Sequence, residues 1–243
     1  YNQGRVIDLV QGNGFAKQGY PARALFSIPF VGINEKGNPV CINEKGQATV
    51  GDLNFQERNN TDYLIYEGST DPIYNGSLGN TFNYKGFHLN LFLTYAFGNV
   101  VRLDPVFSAK YNDLTSMTHD FKNRWMQPGD ENVTNVPGVV SRYEYEQNRT
   151  LLSTAYNAYN YTSVRTAKGD FIRLKEISLA YDFPHRWLEN SPVNNISLKL
   201  QATNLMLLYA DKKLNGQDPE FMNAGGVASP MPKQFTLTLK LGL

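Results

Sequence analysis

FHLNLFLTYAFG, residues 87–98, decides how the rest of the chain is read. Its odd positions, Phe87, Leu89, Leu91, Leu93, Tyr95 and Phe97, are all apolar. Its even positions, His88, Asn90, Phe92, Thr94, Ala96 and Gly98, are mostly polar or small. A period of two is a β-strand, because successive side chains point to opposite faces. The run is about twice the usual globular strand of roughly 5–6 residues. A strand tilted by about 45° needs roughly 9–11 residues to cross a hydrocarbon layer. Its lipid face is aliphatic at mid-depth and aromatic at both interfaces. Phe87, the three leucines, then Tyr95 and Phe97 meet that demand. They are the expected lipid-facing set.

The pattern recurs. Ile196, Leu198, Leu200 and Ala202 share one face of residues 191–208, with Ser197, Lys199, Gln201 and Thr203 on the other. In 234–243, Phe235, Leu237, Leu239, Leu241 and Leu243 alternate with Thr236, Thr238, Lys240 and Gly242. Ala22, Ala24, Phe26, Ile28 and Phe30 are in phase over 22–32, and Tyr74, Leu78, Phe82 and Tyr84 over 71–85. Lys85-Gly86 reads as a very short hairpin turn. In GDFIRLKEISLAYDFP (169–184) the apolar phase switches from Ile172 and Leu174 to Ile177, Leu179, Tyr181 and Phe183. Either a β-bulge near Lys175-Glu176 restores one apolar face, or the strand leaves the bilayer there and alternation ceases to matter.

The expected strands are therefore 4–11, 21–32, 72–84, 86–98, 163–183, 194–208 and 233–243, and their connections alternate between long and short. This is the pattern of an outer-membrane barrel, with extended loops outside and tight periplasmic turns. A soluble sandwich or lipocalin-like barrel would turn the same leucines to a core, and has no reason to sort its loops by length. The fold class expected is all-β, the C-terminal part of a large transmembrane barrel. About seven antiparallel strands do not close alone as a bacterial single-chain barrel, where the number is even.

Composition agrees. Of 243 residues, 13% are aromatic, and the formal net charge of +1 gives no electrostatic case for nucleic acid. Mean hydropathy of −0.42 does not exclude a membrane barrel, which is apolar on one face only. The lone Cys41 cannot form an intrachain disulfide and is expected as an unpaired thiol in a loop. His88, His119 and His185 lie far apart. Asp52, Glu57 and Asp62 are too dispersed for a calcium loop. No metal, cofactor or catalytic grouping is expected. INEKGNPV (33–40) and INEKGQATV (42–50) repeat, and predict a protruding hairpin built on two Lys-Gly turns.

YKGFHLNLFLTYAFGN, KNRWMQPGDENVT, GDFIRLKEISLAYDFP, LQATNLMLL and the DPE of Asp218-Pro219-Glu220 together resemble the closing part of SusC/RagA-type transporters, TonB-dependent outer-membrane proteins of Bacteroidetes. The resemblance covers nearly the whole chain. It implies a 22-stranded barrel of which 1–243 supplies about the last third, the plug and earlier strands lying elsewhere. It also implies active import of an oligosaccharide or peptide, with a SusD-like surface lipoprotein as lid and TonB acting through the plug. On that reading, loops 34–70, 99–162 and 209–232 are extracellular, and Lys85-Gly86 and 184–193 are periplasmic. Asn90, Thr94, Lys199, Gln201 and Thr203 would line the lumen. Arg124, Trp125, Tyr143, Tyr145 and Tyr159, in a long loop that also holds Arg142, Tyr156 and Tyr161, are the expected substrate or partner contacts, as aromatic platforms with hydrogen-bonding tips. The alternative from another class is a barrel serving as a structural or assembly platform for partner proteins.

Overall fold

Two kinds of strand follow one another along the chain in a computed structural model that describes residues 4–12, 16–111, 114, 116–189, 192–222 and 232–242. The elements are α1 (Val6–Gln11), β1 (Ala24–Ser27), β2 (Phe30–Ile33), β3 (Pro39–Ile42), β4 (Ala48–Thr49), β5 (Ile65–Ser69), β6 (Tyr74–Tyr84), β7 (Phe87–Phe97) and β8 (Val100–Arg102). They continue with α2 (Arg142–Gln147), α3 (Arg149–Asn160), β9 (Thr166–Lys168), β10 (Phe171–Asp182), β11 (Asn195–Ala210) and β12 (Gln234–Gly242). Short 3-10 turns punctuate the connections. The chain divides into two units. One holds the long strands and the other the short strands and helices.

The long strands form one five-stranded antiparallel sheet in the order β6-β7-β10-β11-β12. Its register aligns the apolar positions into rows. Phe82, Leu89, Leu179, Leu200 and Leu237 are successive cross-strand partners, and so are Tyr84, Phe87, Tyr181, Leu198 and Leu239. Toward the other end Tyr95 pairs with Ile172, which pairs with Tyr209, and Tyr74 pairs with Phe97. Leucines fill the middle and aromatics both ends. Phe235, Leu237, Leu239 and Leu241 are all more than half exposed, so within this unit nothing of the described chain covers that face of β12.

Local chemistry explains the register. Lys85 and Gly86 both have positive φ (44° and 85°), the requirement of the two-residue turn whose twist matches its flanking strands. In β10, Leu174 pairs with Leu93 and Glu176 with Phe92, which leaves Lys175 unpaired on β7. On the other side Leu174 pairs with Met206 and Glu176 with Thr203, and Asn204 between them has φ 54°. The phase switch is therefore a β-bulge. Pairing with β7 continues beyond it to Phe171, so the strand does not end its alternation there.

Four expectations are corrected. Residues 4–11 form α1 rather than a strand. Val6, Leu9 and Val10 fall at helical spacing and are buried, while Asp8 accepts from the Arg5 backbone N–H and side chain. Residues 21–32 break at Pro29 into β1 and β2, which enter different sheets, because proline cannot donate to a ladder. Residues 163–183 divide into β9 and β10, also in different sheets. The long sheet thus has five strands where seven were expected; Leu243, expected at its end, lies outside the described residues, as do residues 223–231 of the last loop. Cys41 lies in β3, not in a loop, and is 1% exposed.

The second unit packs α1 against β1 and β3 through Val6, Leu9, Val10, Phe26, Ile28, Cys41 and Ala158. The INEKG repeat builds the β2-β3-β4 meander. Asn34 Oδ1 accepts from the Lys36 and Asn38 N–H groups, and Asn43 Oδ1 from those of Lys45 and Gln47. Each repeat is one such turn, with Asn38 and Asn43 buried rather than protruding. Arg102 staples this unit. Its guanidinium donates to the carbonyls of Val10, Phe26 and Thr162 and to Ser27 Oγ, and burial lowers its pKa to about 10.

Candidate binding surfaces

The sheet's second face is polar. Thr81, Asn90, Ser178, Gln201 and Thr236 form one cross-strand row; Asn83, His88, Ala180, Lys199 and Thr238 form the next. The residues hydrogen-bond along these rows. Thr81 Oγ1 donates to Asn90 Oδ1 (2.6 Å), and Asn90 Nδ2 to Ser178 Oγ (3.3 Å). His88 sits between Asn83 Oδ1 (2.6 Å from Nδ1) and Asp182 Oδ2 (2.9 Å from Nε2). All five residues expected in a lumen, Asn90, Thr94, Lys199, Gln201 and Thr203, share this face. Phe92, Phe171 and Leu207 are bulky apolar residues on the same face.

Where Thr94 pairs with Arg173, the polar face carries a buried charge. Arg173 is 5% exposed. Its guanidinium donates to both carboxylate oxygens of Asp218 and lies 3.1 Å from Glu220 Oε2. Asp218 Oδ1 also accepts from the Glu220 N–H (3.1 Å), capping a 3-10 turn begun by the buried Pro219. The DPE motif is legible in the sequence. Its arginine is not, because 45 residues separate the partners.

The helical unit holds the expected contact residues, and treats them unequally. The segment 124–134 is closed on itself. Asp130 Oδ2 accepts from the backbone N–H of Met126 and Gln127, and Glu131 Oε2 from Gly129 N–H and the Trp125 indole N–H (3.0 Å). The indole donor holds the Glu131 carboxyl below the usual carboxylate range. Trp125 lies against Gly37 and Gly138. Arg124 stacks over its neighbour Phe121, 4.7 Å from the ring centroid. Tyr145 packs beside Leu152, Ala155 and Tyr156 and shares a hydrogen bond with Ser153 Oγ, which lowers its pKa.

Tyr159 is a correction. It is 2% exposed and makes edge contacts with Phe30 and Phe107, and burial raises its pKa. It is a core residue, as is Tyr156, whose hydroxyl donates to the Gly138 carbonyl (2.5 Å). Both face inward on α3, where Leu152, Ala155, Tyr156 and Tyr159 repeat at i, i+3, i+4 and i+7. That spacing is the signal that distinguishes core tyrosines from surface platforms. Of the five expected contacts only Tyr143, on α2, is mostly exposed (78%). Met126 and Val133 are exposed beside the Trp125 loop.

No known family profile matches the chain. It is 27% identical over 192 residues to TonB-dependent receptor P39 of Formosa agariphila, an alignment covering 74% of this chain and 17% of that receptor. It is 26% identical over 160 residues to TonB-dependent receptor P3 of the same organism, covering 63% of this chain and 13% of the other. The structure of the RagAB peptide transporter shares its fold with a TM-score of 0.62 at 18% identity, over 92% of this chain and 23% of that one. The RagAB peptide importer in its closed-closed state gives 0.66 at 20% identity, over 99% and 25%. The chain thus spans a minor part of each protein it matches.

A long-stranded antiparallel sheet with one apolar and one polar face is a segment of β-barrel wall. The receptors matched by sequence and the transporters matched by fold bear out the resemblance to the SusC/RagA-type TonB-dependent transporters.

Proposed function

We propose that this chain supplies wall and outward loops to a non-enzymatic importer of the bacterial outer membrane. Its apolar face, with Phe87, Leu89, Leu91, Leu93, Tyr95 and Phe97, meets lipid. Its polar face lines the lumen. Loops 34–70, 99–162 and 209–232 are extracellular, and Tyr143, with the Trp125 loop, meets a SusD-like lipoprotein or the incoming substrate. TonB drives transport through a plug domain. The observation that carries this reading is the five-residue row Phe82–Leu89–Leu179–Leu200–Leu237, which puts a continuous leucine band at mid-sheet between aromatic ends. The peptide named for the RagAB neighbours supports a peptide over an oligosaccharide as cargo.

The test uses the whole protein in its native host. It should fractionate with the outer membrane, run as a heat-modifiable band, and support uptake of labelled peptides that stops when TonB is removed. Recovery in the soluble fraction, or uptake unaffected by deleting the gene, would overturn the reading.

A further inference from the structure

We propose that Arg173 anchors a strap, residues 216–222, over the polar face of the sheet, and so sets how much of the lumen is open at that level. The proposal rests on the lumen assignment above.

Three observations converge on it. The first is the bulge at Lys175. Were Lys175 paired in a regular ladder instead of bulged out, a β10 strand that kept Ile177 and Leu179 on the apolar face would turn Arg173 to the same face. The bulge allows Ile172 and Leu174 to stay apolar-facing and sends Arg173 to the polar side, opposite Thr94 and Leu207. The second is the pairing. A guanidinium shielded from water needs well-placed partners, and these come from a connection rather than from the neighbouring strands. Asp218 offers both oxygens, and Glu220, which is half exposed on its solvent side, a third. The third is economy of geometry. Asp218 grips Arg173 with the same carboxylate that caps the turn at Pro219–Phe221, so the strap's local fold and its attachment form together. All three carboxylate contacts converge on one guanidinium nitrogen, Nη2, a charge-assisted point contact. A lysine at 173 would keep the charge but lack the guanidinium's reach.

The experiment is thiol accessibility at Met222→Cys in the full-length protein, in detergent, with Cys41 replaced. Arg173→Ala should raise the labelling rate by about tenfold or more while the heat-modifiable band persists. Arg173→Lys should lie between. Asp218→Asn combined with Glu220→Gln, which alters no wall residue, should match Arg173→Ala, and all three together should add nothing further. An unchanged rate in folded Arg173→Ala protein, or additive effects, would overturn the strap. So would loss of the folded band in both the Arg173 and the Asp218/Glu220 variants, which would make the ion pair a part of wall assembly. Failure of the lumen assignment shows differently: the labelling pattern would hold, while the protein would be absent from the outer-membrane fraction.

Discussion

The ring of Trp125 occupies the space that a side chain at residue 37 would need. A Cβ on Gly37 would lie 2.4 Å from Trp125 Cε3, and its φ is 79°. Gly46, the equivalent position in the second repeat, has nearly the same φ (75°) but nothing within 4 Å. Gly46→Ala should therefore cost about 1–2 kcal/mol, the left-handed backbone penalty alone. Gly37→Ala should cost a further 1–3 kcal/mol or so from overpacking. Protease protection of the helical unit would rank the two. Equal losses would show that the Trp125 contact carries no weight.

The wall was legible because a sheet with two different faces forces a period of two on the sequence. The turn at Lys85-Gly86 and the bulge at Lys175 were legible as interruptions of that period. The helical unit obeys no such constraint. In β1 all four residues are buried, so alternation there carries no information, and the apolar spacing of α1 fits a short strand as easily as one helical turn and a half. Composition alone does not place the tyrosines of 156–161, because helical phase decides which of them, Tyr156 and Tyr159, turn to the core. The Arg173 anchor was hidden for another reason: nothing local in a sequence pairs an arginine with an aspartate 45 residues away.

Leu89 and Gln201 lie on opposite faces of the sheet, and arginine at each separates lipid from lumen. Leu89→Arg, in the middle of the leucine row, should destabilise the folded barrel by about 2–4 kcal/mol in lipid. Gln201→Arg, on the polar face, should change it by less than about 1 kcal/mol. Unfolding of the full protein in bilayers measures both. Spin labels at Leu89, Leu91 and Leu93 should relax with oxygen and not with polar reagents. Polar-reagent access at Leu91 would remove that face from lipid.

Deleting Lys175 removes the bulge and leaves Leu174 and Glu176 adjacent, opposite Leu93 and Phe92 as before, with Leu174 still on the apolar face and Arg173 still on the polar one. Deleting Lys175 and Glu176 together goes one residue further. If Ile177, Leu179 and Tyr181 keep their place opposite Leu91, Leu89 and Phe87, then Ile172 and Leu174 must turn to the polar face and Arg173 to lipid. An arginine at such depth costs up to about 2–4 kcal/mol, besides the lost Asp218 pairing. The double deletion should abolish the heat-modifiable band, whereas deletion of Lys175 alone should leave it intact. A folded double-deletion variant would mean that the facing of Arg173 does not decide assembly.

Sidedness follows from connectivity. In an antiparallel meander, the connections from β7 to β10 and from β10 to β11 leave the sheet at opposite ends, so Asn132 and Glu189 must answer oppositely to a reagent that cannot cross the membrane. With the last strand running from outside to periplasm, Asn132→Cys labels on whole cells and Glu189→Cys does not. The native thiol supplies an internal standard. Cys41 is buried in β3, and desolvation pushes it up to about 12 from an ordinary value near 9.0. Burial disfavours the thiolate, so in the folded protein Cys41 stays protonated at any pH well below 12. It should not label in native protein at pH 8, and should label once the protein is denatured, when its pKa falls back. Labelling at Cys41 before denaturation would mean that the core of the helical unit is open. Labelling at Glu189 with Asn132 protected would invert the barrel, and would put the Trp125 loop and Tyr143 on the side where no lipoprotein lid can reach them.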